Sequence, residues 1–134
     1  MKPRTWIAVL FAAAAVYDAL LGLLFLVVPG WLLAQFGIDP PNHFGYVQFS
    51  ALLLLIFAWM FVEIAREPGE HRMLIPYGVA VHFAYAGIVI WYWVTSDLPA
   101  LWKPFALFDL LWAGLFLLAY FALAARRLAW HPSV

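Results

Sequence analysis

The stretch Thr5–Val28, TWIAVLFAAAAVYDALLGLLFLVV, decides the fold. Its 24 residues contain no proline and a single charged side chain, Asp18. As a helix rising 1.5 Å per residue it exceeds the ~30 Å of a bilayer's hydrocarbon core. The run continues unbroken past the small residues Ala12–Ala15, so it reads as a membrane span and not as a cleaved signal peptide with its short apolar core. Three more runs of this kind follow, His43–Ala65, Met73–Val94 and Pro104–Ala125. Turn chemistry separates them: Pro29-Gly30 and Asp39-Pro40-Pro41-Asn42, then Glu67-Pro68-Gly69-Glu70, then Thr95-Ser96-Asp97 with Pro99. Asp39 ahead of two prolines reads as the cap of the second helix, and Pro104 as the opening of the fourth. The segment Gly30–Ile38, with Trp31, Leu32, Leu33 and Phe36, reads as a short helix lying in the headgroup region.

The whole chain of 134 residues is therefore expected to be one integral membrane domain, an all-α, four-helix transmembrane bundle with short loops. Composition agrees, at 68% hydrophobic and 10% charged, against a globular norm of about 25% charged. Lys2, Arg4, Arg66, Arg72, Arg126 and Arg127 fall on one side of this plan and only Lys103 on the other. The positive-inside rule then places both termini in the cytoplasm. Trp31, Trp91, Trp93 and Trp102 gather at the outer boundary and Trp6 and Trp130 at the inner one, as interfacial anchors do. A net charge of zero offers no basic field for nucleic acid. The absence of cysteine excludes disulfides, thiolate metal sites and thiol redox chemistry.

In so apolar a chain the informative residues are the ionisable ones, because a charge at mid-membrane costs ~2.5–3.5 kcal/mol on insertion scales. Asp18 and His82 both count to roughly 15–18 Å from the outer ends of their helices, near the midplane, and are expected to pair. Such a pair either handles protons or clamps the bundle in register. Asp109 and Gln48 count to about 7–8 Å from the same side and are expected to share a pocket mouth. Glu63, close to Arg66 and Arg72, reads as a surface ion pair. Helical spacing supplies companions: Ala14, Asp18 and Gly22 in the first span, and Gln48, Leu52, Leu55 and Trp59 in the second. The third contributes Gly78, His82, Tyr85 and Ala86 with Tyr92 beyond, and the fourth Asp109, Trp112, Ala113, Phe116 and Tyr120. If these faces converge, Asp18, His82, Tyr85, Asp109, Gln48 and Trp112 line a slot suited to an elongated apolar ligand with a polar end. A filled core of packed aromatics is the alternative. The echo of Tyr17-Asp18 in Phe108-Asp109 reads as coincidence in a leucine-rich chain.

Haem is disfavoured because only His82 lies deep in a span, while His43, His71 and His131 sit at the edges and Met60 and Met73 lie at another depth. A metal site is not expected either, since within none of the four spans does a His or carboxylate pair stand at i, i+3 or i, i+4, the spacing a helical ligand set needs. A channel or transporter would require several copies of the chain. Four spans in this length, with Tyr17, Asp18 and Gly22 in the first, Pro29-Gly30 at its end, and Lys103-Pro104 through Phe108-Asp109-Leu110 opening the last, resemble the DoxX-like group of small bacterial membrane proteins. The resemblance implies an inner-membrane protein, some of whose relatives accompany quinone-linked or redox complexes. A thiol-based role does not carry over to a chain without cysteine. The expected function is binding of a hydrophobic ligand, a quinone, isoprenoid or lipid, or service as an accessory subunit in a homo-oligomer or larger membrane complex. The alternative is an intramembrane acid/base enzyme on a sterol- or polyene-type substrate, since a core of aromatics, His and carboxyls is similar in kind to emopamil-binding-type isomerases.

Overall fold

The computed structural model describes residues 3–130, with side chains over 5–125. Five α-helices follow in order: α1 (Pro3–Val27), α2 (Pro29–Gln35), α3 (Gly45–Arg66), α4 (Ile75–Thr95) and α5 (Trp102–Trp130). A 3-10 turn, His71–Leu74, leads into α4, and no strand occurs among the described residues. The four long helices are each apolar and long enough to cross a membrane. They lie where the apolar runs place them, within a few residues, except that the last continues to Trp130. Lys2 and His131 lie outside the described residues, as do the side chains of Arg4, Arg126, Arg127 and Trp130, on which much of the orientation argument rests.

The short segment after α1 is helical as expected and carries proline at its start. It closes in a Schellman turn, with Ile38 N–H donating to the Leu33 carbonyl and Gly37 N–H to that of Ala34, both at 3.1 Å. Gly37 takes the left-handed conformation this turn requires, at φ 63°. Leu33 and Ile38 then pack against Phe25 and Ala51, so the turn is fastened to the bundle. The expected cap at Asp39 is not formed. No helix forms from Ile38 to His43, where Pro40 and Pro41 disfavour helical backbone in the residues before them, and α3 starts only at Gly45, whose N–H donates to Nδ1 of His43 at 3.1 Å.

The helices approach most closely in two pairs, α1 with α3 and α4 with α5, and the pairs touch each other mainly through side chains. Gly22 allows the first approach, because a Cβ there would stand 2.9 Å from the Ala51 carbonyl oxygen. The expected stripe Ala14, Asp18, Gly22 is indeed buried. The second span's stripe is not: Leu52 and Trp59 point outward, and α3 buries Ala51, Ala58, Phe61 and Ile64 instead. The close approach of α1 selects small residues on the inner side, which leaves the large apolar ones outside. On α4 the inner face continues through Val89 and not Tyr92, which is half-exposed.

Between Arg66 and Arg72 at one end and Trp91, Trp93 and Trp102 at the other, the interior divides in two. At the arginine end Phe11, Phe61 and Phe116 interlock, the first and last stacked at 4.4 Å and the latter two edge-to-face at 5.1 Å. Ile7, Ile64 and Ile75 complete a filled core there. At the tryptophan end two small clusters, Phe25 with Leu33 and Leu101, and Ala86 with Val89 and Ala106, leave space between them. The outer surface carries Val9, Val16, Ile56, Phe83, Ile88 and Leu118, while Asp18, His82 and Asp109 are buried. This inversion of the usual water-soluble distribution is what a lipid solvent favours.

Candidate functional site

Among the described residues three polar ones are buried, each from a different helix, Asp18 from α1, His82 from α4 and Asp109 from α5, and each is less than 10% exposed. His82 Nδ1 stands 3.2 Å from Oδ1 of Asp109. Asp109, not Asp18, is therefore the partner of His82, which corrects the expected pairing. Counting depth from helix ends assumed that all ends lie in one plane. The connection after Thr95 instead folds back, with Leu98 and Trp102 packing on Ala86 and Val89, so α5 begins beside the C-terminal half of α4. Asp109 is thereby carried down to the level of His82.

The Asp109 contact is best satisfied by an Nδ1–H on the imidazole, which leaves Nε2 as a lone-pair acceptor when the ring is neutral. Nε2 of His82, Oδ2 of Asp18 and the hydroxyl of Tyr17 are buried with no hydrogen-bond partner among the described residues. Unpaired buried polar atoms are uncommon and ask for an explanation. Of the four such side-chain atoms among the described residues, these three belong to residues lining one cavity of about 410 Å³, and the fourth, Nδ1 of His71, lies outside it. Its remaining wall is mostly apolar, with Leu21, Phe25, Val47, Leu54, Phe57 and Phe105. Phe61 stacks on the His82 ring at 5.9 Å and Phe116 meets it edge-on at 5.3 Å, so the packed aromatic core backs this histidine. Gly78 makes room for this packing, since a Cβ there would lie 2.7 Å from the Phe61 ring.

Of the six residues expected to line a slot, four do so: Asp18, His82, Tyr85 and Asp109. Tyr85 also donates a long hydrogen bond, 3.5 Å, to the Trp102 carbonyl. Gln48 does not share a mouth with Asp109. Its amide donates to the Leu26 carbonyl at 3.2 Å and ties α3 to the end of α1. Trp112 stands behind the wall, against Tyr17 at 5.8 Å and Phe116 at 6.0 Å. Tyr17, Tyr46, Ser50 and Trp102 line the cavity without having been singled out. For Tyr17 a signal existed in the Tyr17-Asp18 and Phe108-Asp109 echo: the two aromatic rings meet at 6.2 Å and both aspartates face the same space. Tyr46, Ser50 and Leu53 line the cavity yet are exposed on the outside, so the space reaches the bundle's flank between α3 and α4.

Charges elsewhere are conventional. Glu63 contacts Arg66 at 3.6 Å and accepts from the Trp59 indole, while Arg72 turns away from it. Arg72 instead lies over the Tyr120 ring at 4.0 Å and donates to that residue's carbonyl, joining the start of α4 to α5. Lys103 lies over Trp93 at the opposite end. Among the described residues no three His, Cys, Asp or Glu side chains come close enough to share a metal ion. The arrangement can hold a polar group in an apolar surrounding, and it can hold a proton between a histidine and either of two carboxyl groups. In comparison with protein-family models, curated proteins and solved structures, the chain matches none of them.

Proposed function

We propose that this chain is a bacterial inner-membrane protein, with both termini in the cytoplasm, that binds a hydrophobic ligand such as a quinone, isoprenoid or lipid inside its helical bundle. The ligand's polar end meets Asp18, His82, Tyr85 and Asp109, and its apolar body occupies the space bounded by Leu21, Phe25, Leu54 and Phe57. One observation carries the reading. A cavity within the ~300–1,000 Å³ range of small-molecule sites gathers the described interior's three buried ionisable residues. A purely structural role for these residues would favour mutual pairing, and two of the three retain an unpartnered atom. The pattern-level resemblance to the DoxX-like group supports the inner-membrane assignment, as does the concentration of arginine at one end.

The test is to purify the protein in mild detergent, extract what it carries and identify it by mass spectrometry, alongside the His82→Ala and Asp18→Asn variants. Both variants should lose the ligand while keeping the helical circular dichroism of the parent. Retention unchanged in both would dispose of the site.

A second reading, proton-shuttling isomerase chemistry, draws on the division of labour between the carboxyls. Asp109 backs the imidazole at 3.2 Å whereas Asp18 stands apart, so a base and a separate acid face one space. Incorporation of deuterium from heavy water into an added polyene or sterol, lost in His82→Ala, would select this reading over simple binding.

A further inference from the structure

The cavity's polar groups restrict the kind of head it accepts. We infer that the ligand's polar end is a neutral hydroxyl, so that the ligand is a lipid alcohol, and that anionic heads such as phosphate are refused. The inference rests on the ligand-binding reading above and narrows it.

Charge balance is the first ground. Among the described residues no lysine or arginine lines the cavity, and its one basic side chain, His82, already faces Asp109. A phosphate or carboxylate placed there would meet two carboxyl groups with no cation left to offset them, in surroundings that oppose burial of an unpaired charge. Phosphate sites elsewhere depend on arginine, lysine or clustered backbone N–H groups, and the helices lining this cavity keep their N–H groups for themselves.

Hydrogen-bonding capacity is the second. With Nδ1 turned to Asp109, His82 offers Nε2 as an acceptor. Asp18 offers Oδ2, which accepts as a carboxylate or as the carbonyl oxygen of the acid, and the Tyr17 hydroxyl can donate. A hydroxyl both donates and accepts, so it satisfies an acceptor and a donor of this set together whichever protonation state Asp18 holds. A carbonyl head has no proton to give and would leave the Nε2 acceptor of His82 without a donor.

The third ground is the shape of the space. Asp18, His82 and Asp109 stand on its buried side, with Phe61 and Phe116 packed against the His82 ring, and it opens sideways between α3 and α4 at Tyr46, Ser50 and Leu53. A head seated on Asp18 and His82 can therefore keep its tail in the surrounding lipid through that gap. A lipid alcohol already dissolved in a bilayer enters by this route without crossing water.

Three probes with one tail separate the possibilities: radiolabelled farnesol, farnesyl phosphate and farnesylamine, each titrated against the detergent-purified protein by equilibrium dialysis. Farnesol is expected to bind at least about tenfold more tightly than farnesyl phosphate, the size of effect that an unmatched charged hydrogen-bonding group produces. Asp18→Asn and His82→Gln should each weaken farnesol by about tenfold on the same grounds, while Asp18→Asn, which removes one of the two carboxyl groups, should not weaken farnesyl phosphate. Farnesyl phosphate bound as tightly as farnesol would overturn the hydroxyl assignment while leaving the ligand site standing, and so would farnesylamine bound more tightly, which would mean a cationic head. Retention of none of the three by the wild-type protein would overturn both the head-group inference and the binding reading.

Discussion

The two halves of the bundle are built from the same four helices and nearly the same amino acids, yet one is solid and the other hollow. At the arginine end the inward positions of α1, α3 and α5 are Phe11, Phe61 and Phe116, whose rings fill the space between the helix pairs. Further along the helices, the inward positions are Asp18, Ala51, His82 and Asp109, which are smaller or polar and leave about 410 Å³ unfilled. Helix length and apolarity set the frame in both halves, and only the choice of inward side chain separates them. Association of helices in lipid depends on packing and hydrogen bonds, with no hydrophobic drive between them. The solid half is therefore where the bundle gains its stability, and the hollow half is where it gives some up.

The sharpest way to break this contrast is to remove a ring from the solid half. Phe116→Ala should cost about 3–5 kcal/mol, the usual range for a buried phenylalanine, whereas Leu54→Ala in the cavity wall should cost far less because that side chain already borders open space. Reversible unfolding in mixed detergent micelles measures both. Equal losses would mean that the two halves do not differ in packing. Next in size is Gly22→Val, which drives a side chain into the Ala51 carbonyl and should cost about 1–3 kcal/mol by the same assay. Gly114→Ala is its control, since a Cβ there meets nothing within 4 Å. It should be neutral or stabilise by roughly 0.5–1 kcal/mol, as relief of a mid-helix glycine does. The smallest effect belongs to the hollow half. A double-mutant cycle on His82→Ala and Asp109→Ala should give a coupling of about 0.6 kcal/mol, the average for polar pairs between membrane helices. A coupling of zero would remove the pair from the account of the bundle's register.

Most of the frame was legible in the sequence, because a hydrocarbon layer imposes a length that Thr5–Val28 and its three counterparts match without reference to tertiary contacts. Asp18, His82 and Asp109 were legible for a related reason: an ionisable residue in such a run has few places to go except inward. What could not be read is who meets whom. The pairing of His82 with Asp109 depends on the connection after Thr95 folding back onto Ala86 and Val89, which shifts α5 along α4 and has no signature in either helix alone. The inner face of α3 was misread for another reason. Leu52 and Trp59 look like core residues by the rule for water-soluble proteins, but beside lipid the large apolar side chains turn outward and Ala51 and Ala58 take the contact with α1. Gln48 was misplaced likewise, since a polar side chain near a helix start can satisfy itself on a neighbouring carbonyl, as it does on Leu26.

The comparison of halves comes to a single point, whether the hollow one is hollow for a ligand. Leu54→Trp places a large side chain into the cavity from its wall without touching Asp18, His82 or Asp109. Native mass spectrometry of the wild-type protein and this variant, both released from mild detergent, measures what each carries. The expected result is a wild-type protein heavier than its polypeptide by one small hydrophobic molecule, and a folded variant at the polypeptide mass alone. Identical masses for the two, whether both bare or both loaded with the same molecule, would contradict the assignment of the cavity as a binding site.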